Sequence, residues 1–325
     1  MRRQVAARRS LPRFAVSPAC QAGAGGATVT AAMDVFPTTD ALASSRPPRL
    51  LWVGPARQAD LRMARDWAAE LAEVHEVGSP AVAVAVPPEP FLDRSPTVIL
   101  LAADTPDRWI IPDVIPLARR WPLAPIVAVA GGLVDGRRRS GPPLPGVEEV
   151  AWHELPGRLG WWLADRSAGR AGTLGMPATA RREDRFLEAS RGLHQAGRLP
   201  PPVVSLAAAT SADLDGLADL AAAAGLAIGR RRRGRPLLDE PAGTLVWDVG
   251  RLDADHLAWL RMLAANRPAL RIILLDSFPR AETTAAAVQA GAAAVLGRPV
   301  SVEALAGSLL WLRPPTGLSG RGAEA

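Results

Sequence analysis

Thr244-Leu-Val-Trp-Asp248, Arg271-Ile-Ile-Leu-Leu-Asp276, Ala290-Gly291-Ala292 and Val295-Leu-Gly-Arg298-Pro299 follow one another within a single stretch. Two apolar runs each end on a carboxylate, and segments of helical length, Asp253 to Asn266 and Ala281 to Ala290, separate the runs. Short apolar strands alternating with helices of ten or more residues predict a parallel sheet covered on both faces. Working outward, Val203 to Leu206 reads as a strand and Ser211 to Ala224 as a helix. Leu226 to Gly229 is a short strand leading into an Arg-rich loop and one helical turn near Leu237 to Glu240. Ala293 to Leu296 and Val302 to Leu312 supply a last strand and helix. The expected strand order is 2-1-3-4-5, with a site at the carboxyl ends of strands 1 and 3.

This order of strand, carboxylate, strand, Ala-Gly-Ala turn and basic-Pro dipeptide resembles the receiver domain of response regulators, over about 110 residues. The resemblance implies that Asp248 stands at the phosphoacceptor position, Asp276 at the switch position that holds a hydroxyl, and Arg298 at the position of a lysine. A receiver also places an acidic pair after its first strand to hold Mg²⁺, which offsets phosphoryl charge. Here that strand runs Pro202-Val-Val-Ser-Leu-Ala-Ala-Ala-Thr210, so alanines fill those positions, and Asp213 and Asp215 come later, on the next helix. If Asp276 stood about 4 Å from a phosphoryl oxygen, repulsion at an effective dielectric near 20 would cost roughly 4 kcal/mol per unit charge. The expectation is a fixed network in which Arg298, a planar fork suited to carboxylates, bridges Asp248 and Asp276. Mg²⁺ and other cofactors are not expected, nor is a catalytic residue.

Upstream the plan repeats with changes. Leu50 to Gly54, Thr97 to Ala102 and Pro125 to Ala130 are strands, and Ala59 to Ala72 is a helix. Counting from Gly146 and from Gly291 sets His153 opposite Arg298, so His153 occupies the basic position of this half. Gly54-Pro55-Ala56-Arg57 has no acidic pair, Asp104 lies beyond the acceptor position, and a Gly/Pro/Arg loop between Gly131 and Gly146 replaces the fourth helix. The predicted architecture is therefore α/β: two flavodoxin-like (CheY-like) doubly wound, parallel five-stranded domains in tandem. Their spans are 48–165 and 201–313. A linker, 166–200, holds a helix from Arg181 to Gln195 with Phe186, Leu187 and Leu193 on a narrow stripe, too short for a coiled coil and expected to pack on one half. Residues 314–325 read as a disordered tail.

The chain has 325 residues, 48% of them hydrophobic, so two cores of ordinary size are within reach. No apolar run approaches the ~20 residues of a membrane span. One cysteine, Cys20, rules out an internal disulfide, and His75, His153, His194 and His256 lack metal-ligand spacing. Formal charge is +6, but Arg2, Arg3, Arg8, Arg9 and Arg13 sit in an acid-free tail, and there is no Lys or Tyr in the chain. Residues 1–47 read as a disordered tail, or translation starts at Met33. Arg230, Arg231, Arg232, Arg233 and Arg235 form the densest basic cluster: either a phosphate or nucleic-acid contact, or a solvated loop beside an edge strand. Arg137 to Arg139 are a lesser run. Of ten Trp, Trp247 and Trp259 are assigned to the second core, and Trp161, Trp162 and Trp311 to terminal helices. Only 13 residues follow Leu312, too few for a DNA-reading helix-turn-helix.

These features predict a cytoplasmic bacterial signalling adaptor without catalysis, which binds another protein, or pairs its receiver surfaces with each other or as a homodimer, chiefly through the Ala281 to Leu312 face. The alternatives are a nucleic-acid-associated regulator acting through Arg230 to Arg235, and a regulator phosphorylated on Asp248 by an atypical route.

Overall fold

The computed structural model describes residues 47–134, 144–170, 172–176, 180, 182–195 and 201–311. Met1, Met33, Cys20, Arg137 to Arg139 and the C-terminal tail lie outside the described residues, as do the side chains of Phe186, Leu193, His194 and Trp311. No described helix is long and apolar enough to cross a membrane.

The first sheet runs β1 (Arg49–Val53), β2 (Glu73–Val77), β3 (Val98–Ala103), β4 (Ile126–Ala130) and β5 (Val147–Ala151), in spatial order β2-β1-β3-β4-β5 with every pair parallel. Val-Ile-Leu-Leu-Ala-Ala of β3 and Ile-Val-Ala-Val-Ala of β4 are buried along their whole length, as inner strands covered on both faces require. Alternate residues serve opposite faces. Leu50, Trp52, Leu100 and Val129 meet α1 (Ala59–Leu71) and α4 (Leu155–Ser167), whereas Leu51, Val53, Ile99 and Leu101 meet α2 (Pro80–Ala85) and α3 (Ile111–Arg120). Three of these elements were not foreseen. Glu-Val-His-Glu-Val of β2 is a polar edge strand, α2 is short and capped by Ser79, and α3 carries Pro116 in its interior.

The second sheet comprises β6 (Val203–Ala208), β7 (Ala227–Arg233), β8 (Gly243–Gly250), β9 (Leu270–Asp276) and β10 (Ala292–Gly297), in order β10-β9-β8-β6-β7. Read from the other edge this is again 2-1-3-4-5, so both halves have the expected doubly wound topology. Helices α6 (Ser211–Ala223) and α9 (Val302–Trp311) cover one face, and α7 (Ala254–Asn266) and α8 (Ala281–Gln289) the other. Thr210 and Asp253 cap α6 and α7 by accepting backbone N–H groups through their side chains. The Arg-rich segment is strand rather than loop: β7 continues through Arg233, with a register shift at its pairing with Val204 and Ser205.

Both sheets belong to one compact unit. The last helices of the two halves, α4 and α9, pack on each other, and the first core extends across them to include Ala306. Gly157 and Gly307 make the closest approach. A Cβ at Gly157 would stand 2.6 Å from the Ala304 carbonyl, and one at Gly307 would fall inside the carbonyl of Gly157. Beside them Arg158 donates to Glu303 (3.1 and 2.8 Å) and Glu148 (2.7 Å), while its guanidinium stacks 4.9 Å from the Trp162 ring. Thr173 accepts from the Trp162 indole and donates to Glu303. The linker helix α5 (Arg182–Gln195) packs on α9, and its Arg185 pairs with Glu148 at 2.8 Å. Burial alone would lower the Arg158 pKa, but Glu303, Glu148 and Glu154 outweigh it and hold the guanidinium above its ordinary value.

The glycines give a contrast that urea unfolding can measure. Gly307→Ala should lose about 1–3 kcal/mol by overpacking the α4–α9 contact. Gly216→Ala, in α6 with open space around it, should gain about 0.5–1 kcal/mol by relieving glycine's entropy in a helix.

Candidate functional site

At the carboxyl end of the second sheet, Asp248 lies inside β8 rather than at its end. The strand shifts register between Asp248 and Gly250, and Gly250, at φ +68°, turns its N–H back onto Asp248 Oδ1 at 2.9 Å. That carboxylate is buried. Arg298 follows β10 and reaches Asp248 Oδ1 with Nη1 at 3.3 Å, while Nη2 meets Asp213 Oδ1 at 2.6 Å. The bridge is therefore between Asp248 and Asp213, not between Asp248 and Asp276. Asp213, in the first turn of α6, is near enough because Thr210 caps that helix and also donates its hydroxyl to Asp213 Oδ2 at 2.6 Å.

Asp276 is turned elsewhere. Buried at the end of β9, its carboxylate accepts the Phe278 N–H at 3.1 Å, and its carbonyl accepts the Arg298 N–H at 3.0 Å. Among the described residues no group of three or more His, Cys, Asp or Glu is placed to hold a metal.

The first half closes its corresponding end with a ring. Trp109, buried, donates its indole N–H to the Ala102 carbonyl at 2.9 Å, and a Cβ on Gly54 would stand 2.8 Å from that ring. Asp104 follows β3, with its carboxylate 3.7 Å from Arg108 and its carbonyl accepting from Gln58. Asp60, in α1, accepts the Gly132 N–H at 2.5 Å and ties down the segment after β4. His153 is buried at the junction, its Nδ1 accepting the Gly297 N–H at 3.1 Å with Trp152 edge-on beside it. An Nδ1 that accepts carries no proton, so the ring reads backbone geometry at this contact.

The arginines of β7 alternate about the edge strand, and Arg230, Arg231 and Arg232 are engaged by neighbours. Arg230 lies 3.8 and 3.6 Å from Asp239 and Glu240, Arg231 pairs with Asp215, and Arg232 donates to the Arg235 carbonyl. Arg235 stands 3.8 Å from Asp255 and over Trp259. This arrangement screens the sheet edge with charge. Trp247, Trp161 and Trp162 are buried, and Trp259 is partly buried against the second core.

Sequence reasoning placed Asp213 on the helix after the first strand, too late for an acidic pair, and did not pair it with Arg298 or see Thr210 as the cap, although Thr-x-x-Asp before an apolar helix is a capping pattern. It also passed over Glu148, Arg158 and Glu303, whose pairing depends on how the two halves pack.

Burial raises the Asp248 pKa; the Gly250 N–H and Arg298 counter it only in part. Asp213 moves the other way, held low first by the Thr210 hydroxyl and then by Arg298. Asp248 binds its proton more readily folded than unfolded. Its favourable contribution is thus complete below the ordinary value of 3.8 and is lost as pH rises through the raised folded value. Asp213 contributes above its ordinary value and loses that as pH falls through its lowered one. Asp248→Asn, which keeps an acceptor for Gly250, should raise the thermal midpoint at pH 7, and the gain should shrink as pH falls toward 3.8. Calorimetry across that range measures it.

No protein-family model matches the chain, and no curated protein matches its sequence. Similar solved structures include a putative pilus assembly protein from Burkholderia thailandensis, at 27% identity over 33% of this chain and 94% of that one, with a TM-score of 0.31. A response regulator from Thermotoga maritima shows 15% identity over 33% of this chain and 92% of that one, TM-score 0.29. A putative two-component system response regulator/GGDEF domain protein shows 16% identity over 79% of this chain and 94% of that one, TM-score 0.28. The chain is similar to response regulator receiver domains, and its own two strand orders establish the doubly wound, CheY-like fold in tandem.

Proposed function

We propose that the chain is a non-catalytic signalling scaffold in a two-component-type pathway, with a second-half acid site held by an internal ion bridge instead of switched by phosphoryl transfer. The receiver-like fold of both halves supports a signalling role. The observation that carries the scaffold reading is the Arg298 bridge: one guanidinium engages the buried Asp248 and the more exposed Asp213 at once. The cation that would meet an incoming phosphoryl group is thereby already shared between two carboxylates, 2.6 Å from Asp213 and 3.3 Å from Asp248. Asp276, read from the sequence as the switch-position residue, is a buried acid at the end of the adjacent strand β9, so an added phosphoryl group would bring a further negative charge to the same sheet end.

The α8-β10-α9 face of the second half is engaged by the first half, through α4 on α9, α1 on α8 and His153 on Gly297. A protein partner is then received elsewhere. Neighbouring helices α2 and α3 expose Val82 (49%), Ile111 (50%) and Ile115 (41%), an apolar surface suited to that role.

Intact-mass spectrometry after incubation with acetyl phosphate and Mg²⁺ tests the reading, with Asp248→Asn and Asp276→Thr/Arg298→Lys as companions. The expected result is no mass gain by the unaltered chain while its circular dichroism remains that of a folded α/β protein. Uptake of one phosphoryl group by that chain but not by Asp248→Asn would replace the scaffold with a working switch.

A further inference from the structure

A helix on the surface of a domain ordinarily carries polar residues outside its buried stripe. Helix α3 departs from this. Val114 and Leu117 are buried in the first core, and beside them Ile111, Ile115 and Ala118 stand exposed at the i, i+4, i+7 spacing of a second apolar stripe. Ile110 just before the helix and Leu123 just after it are exposed too, Leu123 at 79%. The neighbouring α2 adds no charge, since residues 80–88 read Pro-Ala-Val-Ala-Val-Ala-Val-Pro-Pro. Contiguous apolar surface of this kind marks a contact site. With α4, α8 and α9 turned to the contact between the halves, α3 remains open.

The charges on α3 decide what fits it. Asp113 lies in the first turn, and Arg119 and Arg120 lie in the last. Asp113 gives one oxygen to the Ile110 N–H at 3.1 Å. Arg120 is engaged within the half, donating to the Leu92 carbonyl at 3.3 Å with its guanidinium 5.9 Å from the Trp121 ring. Arg119 is exposed and makes no ion pair among the described residues. A uniformly acidic partner would set like charge against Asp113, and a uniformly basic one against Arg119. The helix matches its own reverse. In an antiparallel pair about a twofold axis, the first turn of each copy lies by the last turn of the other. That arrangement sets Asp113 toward Arg119 twice, opposes the two helix dipoles, and brings Ile115, at the middle of the helix, to its own copy.

We propose that α3 is a self-association surface through which two copies of this chain pair antiparallel, with Ile115 at the axis and Asp113 toward Arg119 on both flanks. The partner received by the α2–α3 surface is thereby a second copy; this rests on the role given to that surface in the scaffold reading and not on the state of Asp248. Ten helical residues span about 15 Å, a short contact, so the pair forms and dissociates with concentration.

Sedimentation equilibrium of the full chain across a dilution series should show a transition between one-chain and two-chain species. Ile115→Arg sets two guanidiniums against each other at the axis and should keep the chain single throughout, with the circular dichroism of the unaltered chain. Arg119→Glu exchanges two opposite-charge pairs for two like ones, so its dissociation constant should rise about tenfold. In a Cys20→Ser background, Ile115→Cys should crosslink two chains under mild oxidation, because residues at the axis lie within disulfide reach. Met262→Cys, exposed on the second half, should not. The proposal is overturned if the unaltered chain is single at every concentration, if Ile115→Arg still pairs, if Arg119→Glu pairs undiminished, or if Met262→Cys crosslinks as readily as Ile115→Cys. Phosphoryl uptake is read on Asp248 in the other half, so a working switch there and a single chain here are separate results.

Discussion

A guanidinium removed from water must find carboxylates, and the position of Arg158 makes that requirement govern the junction. Its partners come from three places: Glu148 on β5, Glu303 on α9, and, through Glu148 and Thr173, Arg185 on the linker helix. None of the three segments can shift without exposing a buried charge that the others must then answer, and breaking such a pair by removing one member costs about 3–5 kcal/mol in comparable sites. The linker helix, expected to pack on one half, is thereby drawn into the interface: it lies on α9 of the second half while Arg185 pairs with Glu148 of the first. The apolar contacts around it, with Ala306 entering the first core, add area, but the ionic network sets the register.

The two halves close their sheet ends by different physics. In the first, a tryptophan ring covers Gly54 and satisfies its indole on a backbone carbonyl; in the second, a charged bridge spans strand β8 and helix α6. One fold thus accommodates an apolar lid and an ionic latch at the same topological position, because the loops there are free to vary while the strands beneath are held by buried, mostly apolar runs.

The parallel sheets were legible wherever burial on both faces demands continuous apolar runs, as in β3, β4, β8 and β9. Edge strands were not, because half of each faces solvent: Glu-Val-His-Glu-Val of β2 has no apolar run, and the arginines of β7 read as loop although long charged side chains suit an exposed edge. In α3 an internal proline hid the helix. At the candidate site, the residues were visible but their partners were not. Arg298 and Asp248 were read together, yet the choice of Asp213 over Asp276 depends on where the first turn of α6 points and on Phe278 claiming Asp276 first. Contacts between halves depend on three-dimensional register, for which matching counts along the chain are only an indirect sign.

The unequal sheet ends also give the molecule a hard pole and a soft one. A ring seated on a carbonyl responds little to acid or ionic strength, whereas the latch at Arg298 weakens under both. Gly297, the residue before it, is gripped by His153 from the opposite half. The latch and the seam between the halves are therefore one residue apart, whereas the ring-covered pole is tied only to its own half.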